Sequence, residues 1–146
     1  MRFESGYLSP YFVTDSERME CVYEDAYILI HGGKIFDGGD LISLLKHVAR
    51  PERPLLVISA EIDTEALASL VFNKVSGTLK CVVVKAPAFG DQRKALMEEI
   101  AARTTGRLLP EDFVVKNVTL MDFGRASRIV VNEHTTTIEP ALESKI

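Results

Sequence analysis

Tryptophan is missing from this 146-residue chain, and cysteine is nearly so, with only Cys21 and Cys81. Cys81 lies in the apolar run L-K-C-V-V-V, where a small buried thiol is the expected role, and so little cysteine fits a reducing compartment. Basic patches are lacking as well. No run of Lys and Arg exceeds two residues and the net charge is -4, which leaves no electrostatic footprint for nucleic acid or for an anionic membrane. The N-terminus, M-R-F-E-S-G-Y, has no apolar core of a signal peptide, and no apolar run approaches the ~20 residues a membrane span needs. These absences point to a soluble cytoplasmic protein with neither a nucleic-acid nor a membrane partner.

Catalytic signatures are equally sparse. The glycine pairs in H-G-G-K and D-G-G-D match neither phosphate-loop nor dinucleotide patterns, and turn is their favoured role. His31, His47 and His134 are far apart with no second ligand at metal spacing, so no metal site is expected. There is no G-x-S-x-G, and neither cysteine sits in a nucleophile motif. The best enzymatic candidate is Glu61 with Asp63, because carboxylates at the C-terminal end of a buried parallel strand can hold Mg²⁺ for phosphoryl transfer. The matching strand ends in Lys85-Ala86-Pro87 instead of a second acidic cluster, and helix capping accounts for Asp63 without metal.

What the chain does have is apolar residue in quantity, 47% of the total, in a length that suits one domain with its own core. The most informative stretch is Asp63 to Gly77, D-T-E-A-L-A-S-L-V-F-N-K-V-S-G. Asp63 or Thr64 can cap it and Gly77 suits the left-handed position past its end. Its apolar residues, Ala66, Leu67, Ala68, Leu70, Val71, Phe72 and Val75, cover an arc of roughly 200°, about twice what one core requires. The surplus means either a helix sandwiched within its own domain, the favoured reading from this helix alone, or a surface meant for something outside.

Elsewhere, Tyr7 to Val13 is extended in character, Cys21–Tyr23 and Ala26–Ile30 read as short strands, and H-G-G-K as the turn after them. Ile35 and Phe36 suit a brief strand. Asp40 is placed to cap a helix from Leu41 to about Arg50, ended by Pro51 and Pro54. That helix has two apolar seams, Leu41, Leu44 and Val48 beside Ile42, Leu45 and Ala49, of which one can serve the core. L-L-V-I-S-A at 55–60 and Leu79 to Lys85 read as buried strands. Asp91 caps a helix from Gln92 to about Arg103, with Gly106 past its end, and strands follow at 118–121, 127–132 and 135–138. The class is α/β or α+β with layered sheets.

Four segments in this order, G-Y-L-S-P-Y-F at 6–12, E-A-L-A-S-L-V-F-N-K at 65–74, K-A-P-A-F-G-D-Q-R-K-A at 85–95 and R-I-V-V-N-E-H-T-T-T-I at 128–138, closely resemble the apical domain of group I chaperonins, the GroEL type. The resemblance runs from about Phe3 to Ile138. It implies a single apical domain, residues 1–146, with a layered β/β/α fold, detached from the equatorial and intermediate domains; Met1 is then expected to be an artificial start. ATP and Mg²⁺ would be cofactors of the parent and not of this fragment, which would not be an enzyme. The resemblance further implies a groove that binds exposed hydrophobic segments of non-native polypeptides and, in competition, the mobile loop of the co-chaperonin GroES. Carried over by position, its lining is Tyr7, Tyr11 and Phe12 from the extended segment, Ile42 and Leu45 from one helix, and Leu67, Val71 and Phe72 from the next. The parent would be a homo-oligomeric ring, the isolated domain a monomer.

Departures from the family pattern suggest a divergent paralogue. Phe72 stands where a smaller aliphatic residue is usual, Lys46 where an acidic one is frequent, Ser76 where Arg is common and Ala88 where Gly is usual; residues 15–40 and the tail E-P-A-L-E-S-K-I diverge most. Two other readings stay open: a Mg²⁺-dependent phosphoryl-transfer domain using Glu61 and Asp63, and a degenerate paralogue with a structural or signalling role.

Overall fold

The structure, a computed structural model, describes residues 1–47, 53–113 and 117–141; the side chains of residues 40 and 44–47 fall outside that description. Strands β1 (Arg2–Phe3), β2 (Cys21–Ile35), β3 (Leu55–Ile62), β4 (Cys81–Lys85), β5 (Leu108–Leu109), β6 (Gly124–Val131) and β7 (Thr136–Pro140) are interleaved with helices α1 (Gly38–His47), α2 (Thr64–Val75) and α3 (Gly90–Thr104). Among the described residues the chain is a mixed α/β fold with a single sheet in the order β1-β7-β6-β2-β3-β4, β5 pairing separately with β2.

Strand β2 joins the two halves of this sheet. Its first half pairs antiparallel with β6 (Cys21↔Val131 to Ile28↔Gly124), and its second half pairs parallel with β3 (Tyr27↔Leu55 to Ile30↔Ile58). Strand β4 continues the parallel half through Leu55↔Cys81 to Ser59↔Lys85. The continuous apolar runs of the sequence become these parallel strands because both of their faces are covered: Ile28, Leu29, Ile30, Leu56, Val57, Ile58 and Val82 to Val84 are fully buried. Helix α3 packs on β2, β5 and β6, helix α2 on β4, and α1 on α2.

The first eight residues form a strap across the sheet. β1 pairs with β7 at one edge, through Arg2↔Thr137 and Phe3↔Thr136. At the other edge Tyr7 bridges Val84 of β4, and the Leu8 amide donates to the Val83 carbonyl at 3.0 Å. Where layered sheets were expected, one hydrogen-bonded sheet has both of its terminal strands tied by the same short segment. The segment covers part of the β4 edge at Val83 and Val84, and the strand it leaves at the other edge, β1, is only two residues long, which limits its use as a template.

Several boundaries differ from the sequence expectation. The stretch 7–13 is not extended throughout: after Tyr7 the chain makes a 3-10 turn, Pro10–Phe12. The two short strands before H-G-G-K are one strand, and H-G-G-K is not a turn but continues it, with a register shift between His31 and Lys34. The glycines are needed for close packing: a side chain on Gly32 would meet the Leu109 carbonyl at 2.9 Å, and one on Gly33 would overlap the backbone of Glu111. Helix α1 begins before Asp40, because the Asp37 carboxylate accepts the Gly39 amide at 2.8 Å and takes the capping role. Val48, Ala49, Arg50 and Pro51, invoked for that helix's seams and end, lie outside the described residues. Helix α3 starts at Gly90 with Phe89, not Asp91, at the N-cap, and Thr105, not Gly106, takes the left-handed position after it with φ 59.

The strand expected at 118–121 is instead a 3-10 turn, Leu120–Asp122. Asp122 explains it. Its carboxylate accepts the Thr119 amide at 2.8 Å and hydroxyl at 3.2 Å, and pairs with Arg107 at 3.2 Å, a local network that competes with sheet pairing.

Candidate functional site

Helix α2 is capped as the sequence suggests. The Asp63 carboxylate accepts the Glu65 amide at 3.2 Å, and at the other end the Ser76 hydroxyl donates to the Phe72 carbonyl at 2.8 Å, with Gly77 at φ +82 beyond it. Ala66 and Leu70 form the inner line of the helix and are buried. Leu67 and Val71 are half-buried and rest against the core from the shoulder of the helix. Ala68, Phe72 and Val75 form the outer line, spaced four and three residues apart, and all are exposed, Phe72 to 70% and Val75 to 63%.

Two elements flank α2. One is α1, whose first residue packs against Ala66 and Ser69. Within α1 Leu41 is fully buried, Ile42 is half-buried against the core, and the side chain of Leu45 lies outside the described residues. The other is the turn Pro10–Phe12, which packs on both α2 and β4. Ser9 sets this turn: its hydroxyl accepts the Tyr11 amide at 3.2 Å, and Pro10 supplies the backbone angle of a first helical position. The turn splits its two aromatic rings between core and solvent, with Phe12 at 0% exposure and Tyr11 at 66%.

The expected lining residues therefore divide. Tyr11, Leu67, Val71, Phe72 and Ile42 lie on α2 and the two elements packed against it, and keep some exposed or half-exposed surface. Phe12 does not belong with them, because the 3-10 turn points its ring into the core and leaves no surface to offer. Tyr7 is engaged in the strap. Its amide donates to the Asn132 carbonyl at 3.1 Å and its hydroxyl to the Met19 carbonyl at 3.1 Å. Val75 was left out of the expected lining although it is exposed. The signal for it was present, since it follows Val71 by four residues and Phe72 by three.

Beneath α2 the interior is closely buried, with Leu70, Cys21 and Cys81 all at 0% exposure. The Cys81 thiol donates to the Leu70 carbonyl at 3.7 Å, and burial pushes the thiols of both Cys21 and Cys81 up to about 12, an effect the charge of Lys74 only partly offsets. The Tyr23 hydroxyl is likewise raised, first by burial and then by the neighbouring Cys21.

The carboxylate pair gains little from the structure. Asp63 is occupied by the helix cap, and Glu61 is exposed in register with Lys34 on the adjacent strand. Among the described residues no group of three or more His, Cys, Asp and Glu side chains is placed to hold a metal ion. No helix among them is long and apolar enough to cross a membrane. Compared with known protein families, the chain matches no family model.

Proposed function

We propose that this chain binds exposed apolar segments of non-native polypeptides, on a surface formed by the outer face of α2, the Tyr11 turn and α1, in the manner of the apical domain of a GroEL-type chaperonin. The observation that carries the reading is the outer line of α2. Phe72 and Val75 are exposed to 70% and 63%, and Tyr11 of the turn packed on α2 to 66%, while Ala66 and Leu70 already satisfy the core. At that exposure Phe72 contributes little to the packing of the described residues. A guest that covered these side chains would gain roughly 1.5 to 3 kcal/mol for each one fully buried, less the cost of ordering it, so a few anchors correspond to an affinity on the order of micromolar. Such contacts are non-directional, which suits a binder of many sequences.

The apical-domain fold, competition by a co-chaperonin loop and a ring-forming ATP-driven parent belong to the same proposal and rest on the sequence resemblance; a location in the cytoplasm belongs to it too and rests on the composition and N-terminal sequence. The surface alone can bind and release but has no means of driving a cycle.

Titration of the chain with a fluorescein-labelled amphipathic Leu/Lys peptide tests this. The peptide should bind, and Tyr11→Ser combined with Phe72→Ser should weaken it by about tenfold or more, since each truncation removes on the order of 1 kcal/mol of contact. Unchanged binding in that double variant would remove the surface from consideration.

A further inference from the structure

We infer that the strap, residues 1–8, is a latch that sets the apolar surface: its docking fixes the turn Pro10–Phe12, and with it Tyr11, against α2. The functional half of this inference rests on the polypeptide-binding reading above; the structural half does not. Only Ser9 and Pro10 separate the Leu8 amide, bonded to Val83 at 3.0 Å, from Tyr11. The turn is thus held at two points, by Leu8 on β4 before it and by the fully buried Phe12 after it. Tyr11 lies between these two anchors. With the strap lifted, the turn keeps only its later anchors, Phe12 in the core and the Thr14 amide on the Glu20 carbonyl at 3.0 Å, and Tyr11 is released from its position beside α2.

The strap's ends are seated by the β1 pairing with β7, the buried Phe3 and the Leu8 bond to Val83, and its middle, residues 5 to 7, is held by a short set of bonds. Tyr7 donates to Asn132 at 3.1 Å, Thr136 to the Ser5 carbonyl at 2.7 Å, and the Ser5 hydroxyl to the Lys85 carbonyl. Residues 5 to 7 stay partly accessible and Leu8 is 38% exposed, the signature of a segment that opens more readily than the core beneath it. Its seating is also gated by a single position. Where the strap crosses the turn between β6 and β7, Gly6 lies so close to Asn132 and Glu133 that a side chain there would overlap the Glu133 carbonyl. Neither atom can yield, because both belong to backbone.

Gly6→Ala therefore lifts the strap without touching the binding surface. Amide hydrogen exchange should be at least about tenfold faster at Tyr7 and Leu8, and faster at Phe12 and Val13, whose amides close the turn onto Ser9 and Pro10. Exchange at Ile28 to Ile30 and Leu56 should stay slow, and affinity for the labelled Leu/Lys peptide should fall about fivefold, the loss of one anchor. If Tyr7 and Leu8 accelerate while Phe12 and Val13 do not, or if affinity is unchanged with the strap lifted, the latch is wrong. Should Gly6→Ala fail to fold, Thr136→Val decides instead, since it removes the bond to the Ser5 carbonyl. Exchange at Phe12 and Val13 should then be faster than in the unaltered chain, and equal rates overturn the inference. If the unaltered chain binds no peptide, the polypeptide-binding reading falls, while exchange at Phe12 and Val13 still decides the latch.

Discussion

Helices α2 and α3 do the same job on their inner sides and different jobs on their outer sides. Both bury an apolar line against the sheet, Ala66 and Leu70 in one, Met97, Ile100 and Ala101 in the other. On α3 the exposed positions hold Gln92, Lys94, Glu98, Glu99 and Arg103 with no apolar side chain larger than Ala95 and Ala102, and Glu99 pairs with Arg103 at 3.1 Å one turn away. On α2 the corresponding positions hold Ala68, Phe72 and Val75. A helix packed on one core needs only one apolar stripe, so α3 is the ordinary solution and the outer line of α2 is surplus to folding. The difference separates residues that hold the domain together from residues free to serve something else.

The largest effect should come from the shared inner side. Leu70→Ala on α2 and Ile100→Ala on α3 each remove a fully buried side chain and should each cost about 2 to 5 kcal/mol in urea denaturation. A much smaller loss for Leu70→Ala would mean that α2 is held chiefly from outside, and the contrast between the helices would dissolve.

The next test concerns the buried floor under α2. In the unfolded chain a cysteine thiol ionises near its ordinary 9.0, whereas Cys21 and Cys81 in the folded chain hold their protons until about 12. The folded state therefore binds more protons than the unfolded one above pH 9. This contribution to stability should be complete below that value and decline as pH rises from about 9 toward about 12, by on the order of 2 kcal/mol for each thiol near pH 10.5. Comparing urea midpoints at about pH 8 and about pH 10.5 measures this. Cys81→Ala should make the decline shallower; an equally steep decline would show that water already reaches the underside of the helix.

Much of this contrast is written in the sequence. The caps of α2 and its excess of apolar residues are legible in residue type and periodicity, as are the parallel strands, because those features depend on residues close together along the chain; which side of α2 faces inward is not, since the helix alone favours a sandwich. The strap does not. Gly6 matters because of Asn132 and Glu133, and Gly33 because of Glu111, partners that only the fold brings near. The same holds for the split between Tyr11 and Phe12. A reading of the family pattern puts both rings on the surface, and the two differ only because a 3-10 turn rotates one of them into the core. The cap of α3 was misread for another reason: Asp91 has the right chemistry for an N-cap but sits one residue inside the helix.

That misplacement supplies the smallest test and extends the comparison to the helix ends. Asp63 gives α2 a side-chain cap, whereas Phe89, at the N-cap of α3 with φ -147 and ψ 158, makes no such bond. Its backbone already has the extended geometry a capping residue adopts. Asp63→Ala should therefore cost about 1 kcal/mol, and Phe89→Asp should recover up to about that amount, since a carboxylate there could meet the open amides of the first turn and the positive end of the helix dipole. The phenyl ring being given up is 79% exposed and touched mainly by the Arg93 guanidinium, 5.3 Å from its centroid, an arrangement worth about 0.5 to 1 kcal/mol at an exposed site. The two contributions nearly balance, so a gain in the thermal midpoint of Phe89→Asp would mean that capping outweighs the ring. A clear loss would mean that Phe89, like Phe72, is kept for something other than the stability of its helix.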